Sequence, residues 1–404
     1  MKIDILVGGQ AGSESKGLAA SYLSSVVNYT HLFSVNSAQA GHTAPLIRDG
    51  KVIREFVFRQ LPASLLGNFE ATIVIGPGAV INLDVLLSEI RELEEAGVPV
   101  VSRLVISEMA TVIDERCHKM AHSPEYEAVR AARAGLQIEG GPADHLGPIL
   151  VGSTKEGVAQ ALAFRAMRQA AIVRDTKSAL IDIWGRVGYR SDETNFCGGA
   201  EDITRLVNQH PNPVVLIEGS QGFCLSLHHR NYPLVTSRDC TASSFLAMSG
   251  LPPFGVRHVY GVFRTYPIRV AGASGPMHRE LSWEEVSKRS GYLNLCEQTT
   301  VTKRVRRVGE WDQQLFDDAV VANGITRPIL TFVNYLDSRN EGKIAWSELT
   351  EGVRDAISMI EQSSGKAFWV LSTSRYGGWI HPHVEVEREP HSLGAYRIWK
   401  PSTT

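Results

Sequence analysis

A glycine-rich loop near the start of the sequence is the first candidate for chemistry. It reads Gly8-Gly9-Gln10-Ala11-Gly12-Ser13-Glu14-Ser15-Lys16-Gly17. Glycines let successive N–H groups turn inward around an anion, a following helix contributes its positive end, and a lysine adds a mobile charge. The order is that of a phosphate-binding loop, although the spacing differs from both G-x-x-x-x-G-K-[ST] and G-x-G-x-x-G. The alternative is a glycine-rich turn that binds no phosphate.

A basic run is the second candidate. It reads Lys303-Arg304-Val305-Arg306-Arg307. Two guanidinium groups suit a ligand with two carboxylates, because each can form a bidentate pair. Taken alone, the run would favour a solvated basic patch or a nucleic-acid contact. The threonines at positions 299, 300 and 302 and the following Gly309 and Trp311 favour a loop that binds a small molecule.

Two histidines and a glutamate alternate near the end of the chain, at His381, His383 and Glu385. On a strand, this spacing would place all three side chains on one face, where they could ligate a metal. No cysteine or further ligand accompanies them. We therefore expect an ordinary strand face here rather than a metal site.

The elements that must position these residues alternate along the chain. Apolar runs predict strands at residues 3–7, 31–35, 54–58, 72–75, 104–106, 214–217, 259–263, 329–333 and 368–371. Helices are expected at residues 17–27, at 82–96 with Asn82 as N-cap, after Ser282 in a capping box, and at 346–360. This alternation predicts an α/β fold around a large, mostly parallel sheet, with residues 1–404 as one domain.

The bulk composition is that of a globular protein with a sizeable core. The 404 residues are 43% hydrophobic and 21% charged, with a formal net charge of −2, which argues against a nucleic-acid coat protein. The five cysteines form no C-x-x-C pair, so we expect free thiols in a reducing cytoplasm. We expect neither a signal peptide nor a membrane span, and neither a nucleic-acid nor a membrane partner.

Five motifs in series resemble those of the adenylosuccinate synthetase family. Those enzymes carry G-x-Q-x-G-D-E-G-K-G, N-N-A-G-H-T, E-G-A-Q-G, Y-P-x-V-T-S and an arginine-rich T-T-G-R-x-R-R-x-G-W. The corresponding segments are the first loop, residues 301–311, and three further segments: Ser37-Ala38-Gln39-Ala40-Gly41-His42-Thr43, Glu218-Gly219-Ser220-Gln221-Gly222 and Tyr232-Pro233-Leu234-Val235-Thr236-Ser237. The matches keep their order along most of the chain.

The resemblance implies a ligase that uses Mg²⁺ and a nucleoside triphosphate to join L-aspartate to C6 of a purine nucleotide. In that family the purine O6 attacks the γ-phosphate, and the amino group of aspartate then displaces the phosphate. His42 would stabilise O6 and the γ-phosphate, Lys16 would contact the phosphates, and Gln221 would hold the purine edge. The catalytic positions implied are thus Ser13, His42 and Gln221.

The resemblance also assigns binding residues. For the triphosphate they are Gly12, Ser13, Glu14, Ser15, Lys16, Gly17, Gly41, His42, Thr43, Arg306, Asn334, Asp337 and Ser374. For the purine nucleotide they are Ser13, Gln39, Ser153, Thr154, Arg168, Gln221, Thr236 and Val270. For aspartate they are Val301, Thr302, Arg304 and Arg306, and for Mg²⁺ they are Ser13 and the Gly41 carbonyl. Arg168 would reach the phosphate in the neighbouring subunit, which implies a homodimer.

Ser13 is the main departure from the family. It stands where the family has an aspartate that ligates magnesium and takes a proton from purine N1. A serine hydroxyl is not ionised near neutral pH and is a poor metal ligand, so it cannot simply take over these tasks; Glu14 and a bound water are the candidates for the proton acceptor. The smaller side chain would leave room for a C2 substituent, and guanine carries an amino group there.

The serine also matches a related group, the 2-aminoadenylosuccinate synthases of bacteriophages with diaminopurine in their DNA. Those enzymes use dGMP rather than IMP, and residues 300–304 look closer to their aspartate loop than to T-T-G-R. In a phage-encoded enzyme the location would be the host cytoplasm. The family's guanine-reading T-K-x-D is replaced by Asn334-Tyr335-Leu336-Asp337. Loss of that lysine weakens the case for GTP and favours ATP or dATP.

Three functional hypotheses follow. The first is a dGMP–aspartate ligase with ATP or dATP as donor. The second is an adenylosuccinate synthetase that uses IMP and GTP despite its unusual loop. The third is a catalytically silent homologue that binds nucleotides, motivated by the loss of the aspartate. Retention of His42, Gln221, Lys16, Arg304 and Arg306 argues against the third.

Overall fold

A ten-stranded sheet organises the computed structural model, which describes residues 1–123, 155–176, 195–272, 274–298 and 304–383. In chain order the strands are β1 (Lys2–Gly8), β2 (His31–Ser34), β3 (His42–Arg48), β4 (Lys51–Phe58), β5 (Thr72–Ile75), β6 (Val80–Ile81), β7 (Leu104–Ser107), β8 (Thr111–Val112), β9 (Asn195–Cys197), β10 (Val214–Glu218), β11 (Val256–Arg264), β12 (Ile268–Arg269), β13 (Glu280–Leu281), β14 (Arg307–Gly309), β15 (Arg327–Thr331), β16 (Val370–Ser374) and β17 (Gly377–Ile380).

The order in the main sheet is β17-β16-β15-β11-β1-β10-β2-β5-β7-β9. Every neighbouring pair is parallel except β16 with β17. The predicted fold class, α/β with a large and mostly parallel sheet, is therefore confirmed. Because β1 lies between β10 and β11, the loop that follows β1 emerges at the middle of the carboxyl edge, where parallel sheets commonly bind ligands.

Nine α-helices are described in these parts of the chain. They are α1 (Lys16–Val26), α2 (Leu83–Glu95), α3 (Glu115–Ala121), α4 (Val158–Ala166), α5 (Ala200–Asn208), α6 (Ala242–Ser249), α7 (Trp283–Ser290), α8 (Gln313–Asn323) and α9 (Glu351–Ser364). None of them combines the length and apolar character that crossing a bilayer requires.

Both faces of the sheet are buried. Leu6 of β1 belongs to one hydrophobic cluster together with α1 and α2 residues, whereas its neighbours Ile5 and Val7 belong to a second cluster with Phe245 of α6 and Phe316 of α8. Strands covered on both faces carry continuous apolar runs rather than an alternating pattern. This is why short apolar runs were sufficient to locate most of the strands.

The predicted helix ends agree with the structure where they depend on local capping. The Asn82 side chain accepts hydrogen bonds from the N–H groups of Asp84 and Val85, and the Ser282 hydroxyl accepts one from Glu285. The helix predicted at 346–360 differs, because Trp346–Glu348 forms a separate 3₁₀ turn before α9 begins. The strand predicted at 54–58 is real but pairs with β3 in a separate hairpin.

The expectation of a strand face at residues 381–385 is wrong for the described part, because β17 ends at Ile380. His381 bonds to the Tyr22 hydroxyl and the Trp369 carbonyl, while His383 pairs with Glu361. Glu385 lies outside the described residues. Within the described ranges, no group of three His, Cys, Asp or Glu side chains could hold a metal ion.

A close contact joins α1 to β3, and it depends on a glycine. A Cβ atom at Gly17 would lie 2.7 Å from the Thr43 carbonyl oxygen and 3.0 Å from the His42 Cβ. Real Cβ atoms do not approach backbone oxygen that closely, so α1 and β3 would have to separate. The start of the first helix and the position of His42 are therefore fixed by the same contact.

Gly17→Ala is expected to lower both the thermal midpoint and the activity, although alanine is normally the better helix residue by up to about 1 kcal/mol. Gly352→Ala is the matched control: Gly352 is also the second residue of its helix, and its Cβ would meet nothing within 4 Å. The control should keep activity and gain stability. Equal thermal midpoints and rates for the two variants would contradict the close contact.

Candidate active site

The first loop has the backbone of an anion nest. Gly12, Ser13 and Ser15 have φ values of 93°, 60° and 64°. Ser13 and Ser15 flank Glu14, which does not have a positive φ, and alternation of this kind turns N–H groups toward a common centre. Ser15 also forms the N-terminal boundary of α1, with no side-chain cap on the helix.

A carboxylate of the chain itself occupies this loop. The Glu14 side chain is fully buried; its Oε1 accepts hydrogen bonds from the N–H groups of Gln10 (3.2 Å) and Gly12 (2.7 Å). Its Oε2 lies 2.7 Å from the Lys16 Nζ. Ser13, which directly precedes Glu14 in the chain, is exposed. The loop can therefore offer N–H groups and a lysine to an anion, and here they hold Glu14.

Gln221 lies beside this loop, at the carboxyl end of β10. A Cβ atom on Gly8 would lie 2.5 Å from the Gln221 carbonyl oxygen, 2.8 Å from the Glu14 Oε2 and 2.9 Å from the Lys16 Nζ. Gln221 has a positive φ of 58°, and its Oε1 accepts a hydrogen bond from the Ser220 hydroxyl at 3.0 Å. The glycine at the end of β1 thus permits the first loop and Gln221 to meet.

His42 is held by a second buried carboxylate. Its Nδ1 lies 2.6 Å from the Glu218 Oε1, and the Glu218 Oε2 accepts a hydrogen bond from the N–H of Ser64 at 3.1 Å. The other ring nitrogen, Nε2, is buried and has no partner. Because Nδ1–H donates to the carboxylate, Nε2 is the atom left for a ligand.

A third carboxylate pairs with two arginines next to the loop. Arg264, which is fully buried at the end of β11, donates to Glu297 and to the Ser13 carbonyl at 3.2 Å. The Arg306 Nη1 lies 3.7 Å from Glu297. Burial alone would raise the pKa of Glu297, but the two guanidinium groups outweigh burial and hold it below its usual range. Burial lowers the pKa of Arg306.

The residues expected at the donor base follow β15 and end β16. The Asn334 amide donates to the Tyr292 hydroxyl at 2.9 Å and to Glu341 at 2.6 Å, while its Oδ1 is buried without a partner. Asp337 accepts three hydrogen bonds from the side chain of Arg339 and one from the Thr350 hydroxyl. Ser374 is the last residue of β16.

Two residues expected at the purine nucleotide are bonded to each other. The Gln39 amide donates to the Thr236 hydroxyl at 2.9 Å. Val270 lies exposed after β12, and Arg168 lies exposed, with a φ of 62°, just beyond α4. Arg304 is exposed near Arg306. Ser153, Thr154, Val301 and Thr302 lie outside the described residues.

The described residues therefore combine an anion-binding loop with a histidine, a glutamine and a guanidinium pair at one sheet edge. The loop and Gln221 follow the carboxyl ends of β1 and β10, whereas His42 begins β3 and Arg306 directly precedes β14. Such a set can bind phosphate and carboxylate groups and present an imidazole nitrogen to them.

The sequence as a whole matches one family. A family model described as adenylosuccinate synthetase covers residues 5–181 and 194–386. This chain belongs to the adenylosuccinate synthetase family. As a family member it is a ligase that forms a carbon–nitrogen bond.

Relatives within the family are similar over nearly their whole length. The adenylosuccinate synthetase of Methanocaldococcus jannaschii is 31% identical over 386 residues, covering 95% of this chain and 97% of that one. The enzyme of Methanococcus vannielii is 31% identical over 376 residues, with coverages of 92% and 96%.

Two solved structures share the fold. One is the cyanophage S-2L succinoaminodeoxyadenylate synthetase (PurZ) bound to dGMP and dATP as an energy donor, with a TM-score of 0.70, 24% identity and 93% of each chain covered. The other is fully ligated adenylosuccinate synthetase from Plasmodium falciparum, with a TM-score of 0.72 and 19% identity, covering 94% of this chain and 100% of that one.

The sequence patterns assigned no role to three residues that build this candidate site. Glu218 appeared only as the first letter of a motif, although a carboxylate ending an apolar strand was a usable signal. Arg264, a charged residue that closes the apolar run of β11, was a second signal. Glu297 carried no local pattern, because its partners lie in other segments.

Glu218→Gln is expected to lower kcat by about 100-fold, the scale of losing one well-placed proton-transfer group. Glutamine would still accept from Ser64, but it could donate to His42 Nδ1 and favour the wrong imidazole tautomer. The value of kcat is measured from initial rates, and circular dichroism checks that the variant is folded. Glu92→Gln, in an exposed pair with Arg54, is the control and should keep its rate. Wild-type kcat in Glu218→Gln would rule out this role for the pair.

Proposed function

We propose that this family member joins L-aspartate to C6 of dGMP, with ATP or dATP as phosphoryl donor, giving N6-succinyl-2-amino-2′-deoxyadenylate for diaminopurine DNA. The observation that carries the proposal is Ser13, a small exposed residue. Its neighbours in the loop, Gly12 and Glu14, are hydrogen-bonded to each other. The likeness to a phage enzyme bound to dGMP and dATP supports it.

Ser13 would act on the purine through its size and its hydroxyl. Its carbonyl is held by Arg264 and its φ is positive, so the backbone is fixed while the side chain stays exposed. A serine leaves more room beside C2 than an aspartate would. Its oxygen can also accept a hydrogen bond from the 2-amino group of guanine. Hypoxanthine has no such group, so IMP would neither form this hydrogen bond nor use the additional room beside C2.

The first chemical step would be attack of purine O6 on the γ-phosphate, with the nucleoside diphosphate as leaving group and the N1 proton passing to Glu14 or a bound water. The N–H groups of the first loop and Lys16 would bind the phosphates, and Gln221 would orient the purine. His42 would donate from Nε2 to the oxygens that gain charge, with Glu218 stabilising the imidazolium.

In the second step the amino group of aspartate would attack C6, and the phosphate on O6 would leave. Arg304 and Arg306 would bind the two carboxylates of aspartate, together with Val301 and Thr302. Burial and the pairing with Glu297 hold Arg306 in place, which suits a residue that must orient its ligand.

Magnesium would neutralise the charge on the transferring phosphate when bound. Mg²⁺ takes oxygen ligands and often relies on one or two protein groups plus substrate phosphates and water. The Gly41 carbonyl and the Ser13 hydroxyl are oxygens of this kind at the site. The set fits weak retention by the protein alone, since neither oxygen is charged.

The donor base would be bound between the segments that follow β15 and end β16. In the family, Asp337 would read guanine, but here its carboxylate is paired with Arg339, and Tyr335 stands where the family has lysine. Both features favour adenine over guanine. Asn334 and Ser374 complete this subsite.

The nucleoside monophosphate would lie against Gln39, Thr236 and Val270, with Ser153 and Thr154 on its phosphate. Arg168, on an exposed surface, would reach the same phosphate from a second subunit. The proposed enzyme is therefore a homodimer. We place it in the cytoplasm, as the sequence leads us to expect.

The second candidate is an adenylosuccinate synthetase that uses IMP and GTP. It is favoured by the curated relatives at 31% identity, which carry that name. A nucleotide-binding protein without activity is less well supported. Binding alone would not require the buried His42–Glu218 pair or the pairing of Arg306 with Glu297.

A substrate matrix tests the proposal. The protein is incubated with aspartate, Mg²⁺ and each pairing of IMP, GMP or dGMP with ATP, dATP or GTP, while phosphate release and the ultraviolet shift of the purine are followed. We expect the highest kcat/KM with dGMP and ATP or dATP. Turnover confined to IMP and GTP would refute dGMP as substrate, and no turnover in any pairing would favour the silent homologue.

Ser13→Asp is expected to lower kcat/KM for dGMP by roughly 5- to 150-fold, the range for crowding costs of about 1–3 kcal/mol. Aspartate tolerates the positive φ at this position, so the effect would reflect crowding rather than backbone strain. Ser13→Ala is the control; losing one hydrogen bond should cost only about 2- to 10-fold. Unchanged dGMP kinetics in Ser13→Asp would sink the steric explanation.

A further inference from the structure

Arg238 is a buried cation that the reaction as described does not use. It is 4% exposed. Its Nη1 donates to the Ser37 hydroxyl at 2.5 Å, and its Nη2 to the Gly78 carbonyl at 3.4 Å and to the Met248 sulfur. Its Nε is buried and has no hydrogen-bond acceptor. Among the described residues, it forms no ion pair with a carboxylate.

Burying a guanidinium group without a counter-ion is unfavourable, and buried charges in proteins are normally paired. The neighbouring carboxylate, Asp239, is engaged by the N–H of Cys240 and the hydroxyl of Thr241. Burial lowers the pKa of Arg238 to about 10, so the group is still protonated near neutral pH. The interior therefore holds an uncompensated positive charge.

Arg238 and its partner Ser37 are close in sequence to two residues expected at the purine nucleotide, Thr236 and Gln39. Arg238 follows Thr236 by two residues, and its partner Ser37 precedes Gln39 by two residues. Gln39 and Thr236 are themselves hydrogen-bonded. Two bonds thus join the same two segments, and the polar side chain beside Ser37, Asn36, has a buried Oδ1 without a partner.

Two other buried arginines have more partners for their charge. Arg264 also has an Nε without an acceptor, but it pairs with the Glu297 carboxylate. Arg103, which is also buried and lies away from the site, donates to the carbonyl oxygens of Pro99, Asn68, Ala71 and Leu65. Within the described residues Arg238 has one carbonyl acceptor and no carboxylate partner, which is the pattern of a cation that awaits an anion.

We propose that Arg238 is the positioning residue for the phosphate monoester of the purine nucleotide. Its charge complements the phosphate, and its bond to Ser37 holds the Gln39 segment against Thr236. In a low-dielectric interior the attraction acts over several ångströms without direct contact. The inference rests on the proposed role of Gln39 and Thr236 in nucleotide binding.

The test separates the phosphate from the rest of the nucleotide. Calorimetric titrations measure the affinity of wild type, Arg238→Met and Arg238→Lys for dGMP and IMP, and for the matching nucleosides deoxyguanosine and inosine. We expect Arg238→Met to weaken nucleotide binding by at least about 10-fold and nucleoside binding by less than about 2-fold, the scale of losing a charge-assisted interaction. Arg238→Lys should recover most of the loss.

Kinetics supply a second readout. Arg238→Met should raise the KM for the nucleotide more than it lowers kcat, because the phosphate does not react. Arg103→Met is the matched control: it should lower the thermal midpoint and leave the nucleotide-to-nucleoside affinity ratio unchanged. If Arg238→Met does not fold, Arg238→Gln and Arg238→Lys provide the same comparison.

The inference would be overturned if the ratio of nucleotide affinity to nucleoside affinity were unchanged in the Arg238 variants. That outcome includes equal losses of affinity for both ligands. A wild type that binds IMP and not dGMP would contradict the proposed substrate, yet the IMP-to-inosine ratio would still report on Arg238. The two failures are therefore distinguishable.

Discussion

A carboxylate buried inside the first loop is the interaction on which the rest of the site depends. Glu14 accepts hydrogen bonds from the N–H groups of Gln10 and Gly12 and pairs with Lys16, while its own carbonyl accepts from the Thr331 hydroxyl. A charge without solvent is stable only when its bonds are made. The bonds of Glu14 therefore connect the loop backbone, the start of α1 and the end of β15. None of these three segments can move without breaking a bond to the buried residue.

Internal charge balance follows the same logic elsewhere in the site. Each of three buried or largely buried carboxylates has its own nitrogen partner: Glu14 has Lys16, Glu218 has His42, and Glu297 has Arg264. These pairs fix side-chain directions before any substrate binds, so little reorganisation remains for the reaction itself. Arg238 differs from these pairs, because it is buried and has no carboxylate partner among the described residues.

Local rules predicted much of the molecule, and non-local pairing accounts for what they missed. The strands are apolar throughout because both faces of the sheet are covered, and the Asn82 cap needs only the next three residues. By contrast, Glu218 meets His42 across 176 positions and Arg264 meets Ser13 across 251. No periodicity reports such pairs. The end of β17 before His381 also depends on tertiary contacts, since spacing alone fitted a longer strand.

The exposure of Ser13 has a consequence for how such enzymes change over time. Its neighbours Glu14 and Lys16 are buried and bonded, so substitutions there would disturb folding and chemistry together. The side chain at position 13 is exposed, and its backbone carbonyl accepts a hydrogen bond from Arg264. Under the proposed role of Ser13, a substitution here by a residue that tolerates a positive φ would change the preferred purine at little cost in stability. Substrate preference would then depend on one residue, and changing it would require no compensating substitution elsewhere in the chain.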